Sequence, residues 1–531
     1  MTTIVRPTAG PSAPREPGYR RFTWQEAIVD YLPVHRRTAR ACLWVERLPT
    51  AAILLLTALL CVRLRNSAFI DEALYINAGQ DYLNHLLHGS PVPDHGAYFS
   101  GVPVVYPVLA AALDAVGGLY LVRFFSLLCI LVTIVVVQDF THTVFQSRRA
   151  GLLAGAVFAL TGPVIFLGAF ATFDALCVLL LAIAMWLGVT QQGLWSAVGV
   201  GLALSLAVTV KYAGAVFVPV VIAIVLLAGA HALKRVGAAL GILAVVVGGV
   251  LVVFGDTLGP GIRFTTSTRL ALSPTSQSQL LVYVALNIGL LITLALWGAA
   301  RVAHGRKVVV VLLVLVLLAG SALLPVAQLR LGEAVSFDKH TAYAALFLAP
   351  LAGLGLAAMS RGLFKLAPVL TILVVALIAG VSRSGTLYAG WVPLDPVIAI
   401  INSSPQPGLY ISSSTDPLKY YTRKSHPEVR WQTTFALYSG GERTIQRSVA
   451  ANQFQMIILR SASTGSAQQD AGQRVLEQAI ADNPRYQLVR APFPVQPYST
   501  DRWFVYRLGA APTEQPYRSD SSPRTSPVGA T

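Results

Sequence analysis

The sequence predicts a polytopic α-helical membrane protein with a soluble α/β domain near its C-terminal end. Three observations support this fold class. Apolar runs of about 20 residues, long enough to cross a bilayer, recur along most of the chain. Only 12% of the 531 residues are charged and 55% are hydrophobic, whereas a soluble domain carries about 25% charged residues. From about Gly385 onward, short strand-like segments alternate with helical segments.

The net charge of +16 lies in short basic clusters between the apolar runs. This distribution orients helices in a membrane. A nucleic-acid-binding protein would instead concentrate its positive charge on one face, so we expect no nucleic acid partner. Three of the four cysteines fall inside apolar runs, and their spacing predicts neither a disulfide framework nor a zinc site.

Residues 1–46 are predicted to form a basic N-terminal region in the cytoplasm. Residues 1–22 are rich in Pro, Ser, Thr, Gly and Arg, a composition typical of disorder, and residues 23–46 resemble a partly amphipathic juxtamembrane helix. The first apolar run begins near Leu48, too far from the start for a cleaved signal, and eight arginines precede it. We therefore expect an uncleaved anchor with its N-terminus inside the cell.

Residues 47–384 are predicted to form the transmembrane domain, with about eleven helices. The apolar runs are residues 48–66, 119–140, 150–168, 172–190, 194–210, 213–230, 236–255, 279–300, 308–326, 341–359 and 367–384. Basic clusters such as Arg148–Arg149 and Lys234–Arg235 fall in even-numbered gaps, and the segment 66–120 contains no Lys or Arg. This charge distribution predicts a multi-pass plasma membrane protein whose first loop and C-terminal domain lie outside the cell.

The first outer loop, residues 67–118, contains two adjacent carboxylates, Asp71 and Glu72. Ionised groups next to a bilayer are costly and usually serve function. The alternative is structural, because acidic residues in a first helical turn favour the positive end of the helix dipole. We expect a helix from Asp71 to His88 that ends at Gly89, and a short interfacial segment at 104–116.

Further charged residues fall at the predicted outer face. Asp174 and Lys211 stand at the same membrane depth, where they could form a purely structural ion pair or part of a site. Basic residues in the outer loops run against the positive-inside trend, which suggests an anionic ligand such as phosphate. The alternative is that each is merely solvated. These residues are Arg263, Arg269, Lys339 and His340.

Residues 385–510 are predicted to form an extracytoplasmic α/β domain, and residues 511–531 a disordered tail. Strands are expected at 409–411, 456–459, 486–489 and 503–506, and helices at 395–402, 442–451 and 468–482. The domain has no glycine-rich phosphate loop and no evident catalytic triad.

This layout suits one kind of chemistry. A carboxylate at the outer rim can act as general base on an acceptor hydroxyl. Nearby Arg, Lys and His can stabilise a leaving phosphate. A donor whose lipid tail lies in the bilayer would present its phosphate at this depth. We therefore expect a glycosyltransferase that uses a lipid-phosphate sugar.

The segment Asp71-Glu72-Ala73-Leu74-Tyr75 resembles the acidic motif of the GT-C membrane glycosyltransferases, which include the protein O-mannosyltransferases, the lipid A aminoarabinose transferases and RgtA-like relatives. The resemblance covers about residues 45–385. It continues in Tyr106-Pro107-Val108-Leu109, Val122-Arg123-Phe124-Phe125-Ser126, Thr172-Phe173-Asp174-Ala175-Leu176, Thr209-Val210-Lys211-Tyr212-Ala213-Gly214 and Asp338-Lys339-His340.

The resemblance implies a role for each matched residue. Asp71 would be the catalytic base, Glu72 would support it or the acceptor site, and Asp174 with Lys211 would lie near the donor phosphate. It also implies a polyprenyl-phosphate sugar donor, transfer with inversion, and an acceptor outside the cell that is a protein, a lipid or a polysaccharide. Mannose is the sugar suggested by analogy.

Metal dependence is left open by the resemblance. Some relatives place a metal-binding Glu beside Lys shortly before the segment that matches residues 102–107, where this chain reads Tyr98-Phe99-Ser100-Gly101. Asp94 and His95 are nearby substitutes for a divalent cation, although two adjacent residues are a thin ligand set.

Two other classes of function compete with the enzyme. Transporters and lipid flippases tend to show repeated halves and charges near the midplane, and the sequence shows no such repeat. A non-catalytic membrane scaffold would use the acid pair only to cap a helix.

Overall fold

The computed structural model describes residues 43–190, 193–229, 231–266, 274–303, 308–360, 366–464, 466–497 and 499–509. Most of the predicted N-terminal region and the predicted tail at 511–531 lie outside these residues. The described chain forms a helical bundle followed by a smaller α/β unit that begins at Asp395.

The bundle consists mainly of long apolar helices. In chain order they are α1 (Leu43–Cys61), α2 (Ile70–His88), α3 (Tyr106–Phe145), α4 (Arg148–Ala159), α5 (Gly162–Ala169), α6 (Phe173–Thr190), α7 (Leu194–Val210), α8 (Val218–Leu227), α9 (Ala232–Thr266), α10 (Gln277–Ala303), α11 (Val308–Leu331), α12 (Phe337–Met359) and α13 (Leu366–Ala389). Short 3₁₀ helices add His95–Ala97 and Tyr212–Phe217.

Each of the eleven predicted apolar runs overlaps a helix, but the number of membrane crossings is not settled by length and composition. In the described part of the chain seven helices qualify as spans, or eight if α4 and α5, bent by 68°, count as one. Three shorter apolar helices, Arg47–Cys61, Leu194–Val210 and Tyr212–Leu227, match the remaining predicted runs. The chain is a multi-pass membrane protein, and eleven crossings remain a prediction.

The interfacial segment expected at 104–116 is the first part of α3. The helix breaks at Gly117 and Gly118, where Gly118 has φ 64°. A residue with a Cβ rarely adopts this left-handed conformation, so glycine is suited to this position. The break separates the short first part from the predicted span at 119–140 and lets α3 change direction there.

Helix α12 forms the centre of the bundle and is buried along most of its length. Small residues allow its neighbours to approach closely, as is common between membrane helices. A Cβ added at Gly298 of α10 would lie 2.0 Å from the carbonyl oxygen of Leu351, and one added at Gly353 would lie 2.4 Å from that of Ala150 in α4. The N-terminal turn of α12, which carries Lys339, is therefore held on a rigid element.

The predicted helix of the first loop is confirmed as α2. It ends where Gly89 adopts φ 66° and its N–H donates to the carbonyl of His85, a left-handed C-terminal cap. Its close contact with α3 requires a glycine, because a Cβ on Gly79 would lie 1.9 Å from the carbonyl oxygen of Pro107. This packing fixes the first turn of α2, where Asp71 and Glu72 lie.

The C-terminal α/β unit contains one mixed sheet. Its elements are α14 (Asp395–Ser403), β1 (Gly408–Ser412), α15 (Thr415–Thr422), β2 (Val429–Thr433), α16 (Thr434–Ser439), α17 (Glu442–Ala450), β3 (Phe454–Arg460), α18 (Ala467–Ala481), β4 (Tyr486–Leu488), β5 (Phe493–Pro494) and β6 (Arg502–Leu508). The strand order is β2-β1-β3-β6-β4 with β5 beside β6; β1 is parallel to β2 and β3, and β6 is antiparallel to its neighbours.

All four predicted strands and all three predicted helices of this unit are present. Sequence analysis missed β2, β5, α15 and α16. The first of these is an edge strand with a largely exposed face, the second has only two residues, and the two helices are short. Such elements have too few buried positions to show a hydrophobic period.

Helix α15 docks the α/β unit onto the first loop. The Asn77 amide donates to the carbonyl of Asp416 at 2.9 Å, and the Ala68 N–H donates to the Tyr421 hydroxyl at 2.7 Å. The Tyr420 hydroxyl donates to Asp114 at 2.6 Å. The α/β unit therefore sits at the end of the bundle that carries Asp71, which we call the Asp71 end.

Candidate active site

Glu72 is completely buried and accepts four hydrogen bonds. Arg123 donates two of them, from Nε at 2.9 Å and from Nη2 at 2.7 Å. The backbone N–H groups of Phe69 and Ala171 donate the other two, at 2.9 and 2.8 Å. A bidentate arginine–carboxylate pair has strict geometry. Glu72 therefore joins the start of α2 to α3 and to residue 171, which suits a supporting role and leaves no oxygen to face a substrate.

Asp71, the neighbouring acid, faces the other way and remains accessible. Its side chain is 29% exposed and accepts a hydrogen bond from Lys339 Nζ at 2.7 Å. The same ammonium lies 4.0 Å from Asp174, so Lys339 bridges two carboxylates contributed by different helices. The structure thus brings together three residues that the sequence places far apart.

Asp174 and Lys211 form the expected buried pair. Lys211 donates to Asp174, which also accepts from the Tyr343 hydroxyl at 3.1 Å and from Thr172 at 3.2 Å. The Lys211 ammonium lies 5.2–5.3 Å from the ring centres of Phe173 and Tyr343. Pairing and cation–π contact offset the cost of burying this charge.

His340 extends the cluster. Its Nε2 lies 3.3 Å from Lys211 Nζ and its Nδ1 lies 2.8 Å from the Gln328 amide. The preceding residue, Asp338, points away from the cluster and pairs with Arg383 at 2.6 Å. The first turn of α12 thus anchors Asp338 to α13, directs Lys339 at the two carboxylates and places His340 beside Lys211.

The buried cluster can hold an anion at the Asp71 end. With Glu72 neutralised by Arg123, the ammonium groups of Lys211 and Lys339 face Asp71 and Asp174, and the imidazole of His340 stands beside them. In a site of low dielectric constant, such preorganised donors stabilise developing negative charge. A partly exposed carboxylate next to them can accept a proton.

Arg263, one of the two arginines predicted as phosphate ligands, is exposed on the part of α9 that packs against the 3₁₀ helix His95–Ala97. Arg269 lies outside the described residues. Their role in phosphate binding remains a prediction.

The expectation of a divalent cation at Asp94 and His95 is not supported by the geometry. Asp94 caps the 3₁₀ helix by accepting from the N–H of Ala97. Both ring nitrogens of His95 have protein partners, the Tyr98 hydroxyl at 2.8 Å and Asp81 at 3.1 Å. Within the described residues no group of three or more His, Cys, Asp or Glu side chains is arranged to hold a metal ion.

Sequence reasoning missed several members of the site. Tyr343 lies four residues after Lys339 on α12, and this spacing on one helix face was a usable signal. Arg123 stands in one of the motifs that resemble the family, but the sequence assigns it no partner. Asp416 gave no local signal, since it reaches the first loop only through the fold of the α/β unit.

Asp416 has a raised pKa of about 6, compared with an ordinary value of 3.8. Burial is the main cause and the charge of Asp71 adds to it, whereas Lys419 and His95 oppose it. Because the folded state binds the proton more tightly than the unfolded chain, this group's contribution to stability is greatest below about pH 4 and is lost as the pH rises towards 6.

Asp416→Asn is therefore expected to raise the midpoint of thermal unfolding by a few degrees at pH 7.5 and to have little effect near pH 4. Unfolding would be followed in one detergent at both pH values, with the exposed Asp482→Asn of the same unit as the control. An equal shift at both pH values would contradict the titration of Asp416.

The sequence profile of the family "dolichyl-phosphate-mannose-protein mannosyltransferase" matches residues 50–252. A search of curated protein sequences returns no match.

Among solved structures, ArnT from Cupriavidus metallidurans in the apo state is similar with a TM-score of 0.56 and 14% identity, covering 88% of this chain and 98% of that one. The same values hold for ArnT bound to undecaprenyl phosphate. The Archaeoglobus fulgidus oligosaccharyltransferase, in complex with Zn and sulfate, gives a TM-score of 0.50 and 12% identity over 86% of this chain and 73% of that one.

These structural likenesses establish the fold, and the family profile covers the segment that contributes Asp71, Glu72, Arg123, Asp174 and Lys211. The motifs that resemble the family in sequence are the ones that meet at the Asp71 end. The chain is a multi-pass membrane protein with the fold of these structures, and its residues 50–252 match the profile of a mannosyltransferase family.

Proposed function

We propose that this protein transfers a sugar from a polyprenyl-phosphate donor to an acceptor hydroxyl outside the cell, with Asp71 as general base. One observation carries the assignment of the base. Of the three acids Asp71, Glu72 and Asp174, only Asp71 has an exposed side chain, at 29% compared with 0% for the other two. A base must reach the proton that it removes.

The reaction is a single displacement. Asp71 takes the proton of the acceptor hydroxyl, whose oxygen attacks the anomeric carbon as the bond from that carbon to the phosphate oxygen breaks. The lipid phosphate leaves with the bonding electron pair, and Lys339, Lys211 and His340 stabilise its charge. Attack opposite the leaving phosphate inverts the anomeric centre.

The donor assignment rests on similarity and on chemistry. One similar structure is that of ArnT bound to undecaprenyl phosphate, and the name of the matching family contains a dolichyl-phosphate sugar. A prenyl tail lies within the bilayer, and its phosphate would meet the lysines at the end of the bundle. The family description also supports mannose as the sugar.

The orientation follows from the basic clusters. Arg148–Arg149 and Lys234–Arg235 begin helices at the end of the bundle that we place in the cytoplasm, and the first loop has no Lys or Arg. The Asp71 end and the α/β unit then face outward. The acceptor is a hydroxyl of a protein, a lipid or a polysaccharide.

Lys339→Gln tests the role of the ammonium group in stabilising the leaving phosphate. We expect kcat to fall by about 10²-fold, the loss typical when one preorganised donor to a developing anion is removed. The assay uses the full chain in nanodiscs with radiolabelled polyprenyl-phosphate mannose. Lys419→Gln is the matched control, because Lys419 also approaches an acid of α2, Asp81 at 3.4 Å, but lies outside the cluster.

Unchanged transfer by Lys339→Gln would contradict the proposed role of the lysine. Transport of the labelled donor between leaflets without any transfer would favour a flippase instead.

A further inference from the structure

A cavity of about 370 Å³ lies where the α/β unit meets the start of the first loop. One wall consists of Ser413 and Ser414, which follow β1, and of Ser463 and Thr464, which follow β3. The lining also includes Phe69 and Ile70, and Ile70 immediately precedes Asp71. The volume lies within the range of about 300–1,000 Å³ typical of small-molecule sites.

The position of the cavity in the sheet is the one that α/β folds use for ligands. Strand β1 lies between β2 and β3 and is parallel to both, so the chain leaves β1 towards one side and returns to β3 on the other. At such a switch point the connections diverge and open a crevice beyond the carboxyl ends of the strands. The residues after β1 and β3 line this crevice.

The lining combines apolar side chains with hydroxyl and amide groups. Besides the hydroxyl groups it includes the amides of Gln469 and Gln473. Among the described lining residues Arg460 alone is charged, and its guanidinium pairs with Asp501, with Nε at 2.9 Å. The cluster at the Asp71 end brings two ammonium groups and an imidazole together, whereas this lining has one paired cation, which favours a neutral ligand rich in hydroxyl groups.

Aromatic side chains complete the site. Phe69 and Trp391 line the cavity and pack edge to face, with ring centres 4.9 Å apart. Trp391 is 3% exposed and Phe69 is half-buried. A sugar ring offers an apolar C–H face that can pack against such aromatic rings.

We propose that this cavity binds a neutral sugar unit of a carbohydrate acceptor and presents its hydroxyl to Asp71. Chain continuity supports this: Ile70 and Pro417 line the cavity, and the residues beside them, Asp71 and Asp416, are close enough to interact electrostatically. The inference rests on the proposed function and narrows it. The acceptor is a glycan, and the α/β unit selects it.

The test uses the full chain in nanodiscs and separates sugar binding from transfer. Binding of mannotriose and cellotriose is measured by saturation-transfer NMR without donor. Transfer from polyprenyl-phosphate mannose is then measured to these trisaccharides and to a Ser/Thr-rich peptide. The variant Gln469→Trp fills the cavity, and Gln468→Trp, on the neighbouring exposed residue of α18, is the matched control.

We expect the wild type to bind a trisaccharide and to use it as acceptor. Gln469→Trp should weaken binding and raise the KM for the trisaccharide by about tenfold or more, with the KM for the donor unchanged. Gln468→Trp should match the wild type in both measurements.

Three results would overturn the proposal. They are the absence of trisaccharide binding, equal effects of the two tryptophan variants, and transfer to the peptide that Gln469→Trp does not alter. If no acceptor is glycosylated and no donor binds, the proposed function fails, and the NMR measurement still decides whether the cavity binds sugar.

Discussion

Replacement of Asp71 by Asn is expected to lower kcat for sugar transfer by about 10²–10⁴-fold, the usual contribution of a general base. The amide has nearly the shape of the carboxylate and its oxygen can still accept from Lys339, so the fold and the donor site should persist. What is lost is the capacity to take the proton of the acceptor. Transfer would be measured in nanodiscs, together with the dependence of kcat on pH.

The matched control is Asp94→Asn, an exposed residue of the same loop. Asn caps helices about as well as Asp, so the 3₁₀ helix that Asp94 caps should survive and transfer should stay near wild type. If Asp71→Asn keeps kcat within a factor of about two of the wild-type value, Asp71 is not the general base. A strong defect in Asp94→Asn would revive the metal hypothesis for that residue.

The second large effect concerns stability. Glu72→Ala is expected to destabilise the protein by about 3–5 kcal/mol, because removal of one partner leaves the buried guanidinium of Arg123 without its counter-charge. Thermal unfolding in one detergent would show a midpoint lower by several degrees. Activity should fall as well, since the first turn of α2 positions Asp71 and small displacements of a catalytic group are costly.

A double-mutant cycle separates the pair from its surroundings. Glu72→Leu and Arg123→Met each leave the partner's charge buried and unpaired. The double variant Glu72→Leu/Arg123→Met removes both charges, so it should lose less than the sum of these two single losses. Arg123→Lys should be less stable than the wild type, because lysine cannot reproduce the two hydrogen bonds that Arg123 donates to Glu72. Additive losses would mean that the two side chains do not act as a pair.

Much of the site was accessible from the sequence. Asp71, Asp174 and Lys211 are predicted because charges at the rim of apolar runs are costly, and Lys339 and His340 because they run against the positive-inside trend. The structure brings all five together. Proximity along the chain is a weaker guide to contacts. Asp94 and His95 are adjacent in sequence, yet their side chains have separate partners.

Asp71 and Glu72, at the centre of the site, also show that neighbours in the sequence can have different partners. Successive residues on a helix point in directions about 100° apart, so Asp71 and Glu72 cannot face the same partner. Only packing decides that Glu72 turns inward to Arg123 while Asp71 turns to Lys339 and to solvent. These two pairs join α2 to α3 and to α12, which begin 36 and 267 residues after the start of α2.

By itself the sequence determined the class of protein, the positions of its long apolar helices and the stop at Gly89. These depend on local quantities: the length of an apolar run, the period of a pattern, and the backbone freedom of one residue. Only the tertiary structure decided which charges pair, which acid stays exposed, and that α15 and the cavity beside it lie next to Asp71. Those outcomes depend on contacts between segments hundreds of residues apart, whose geometry no local pattern contains.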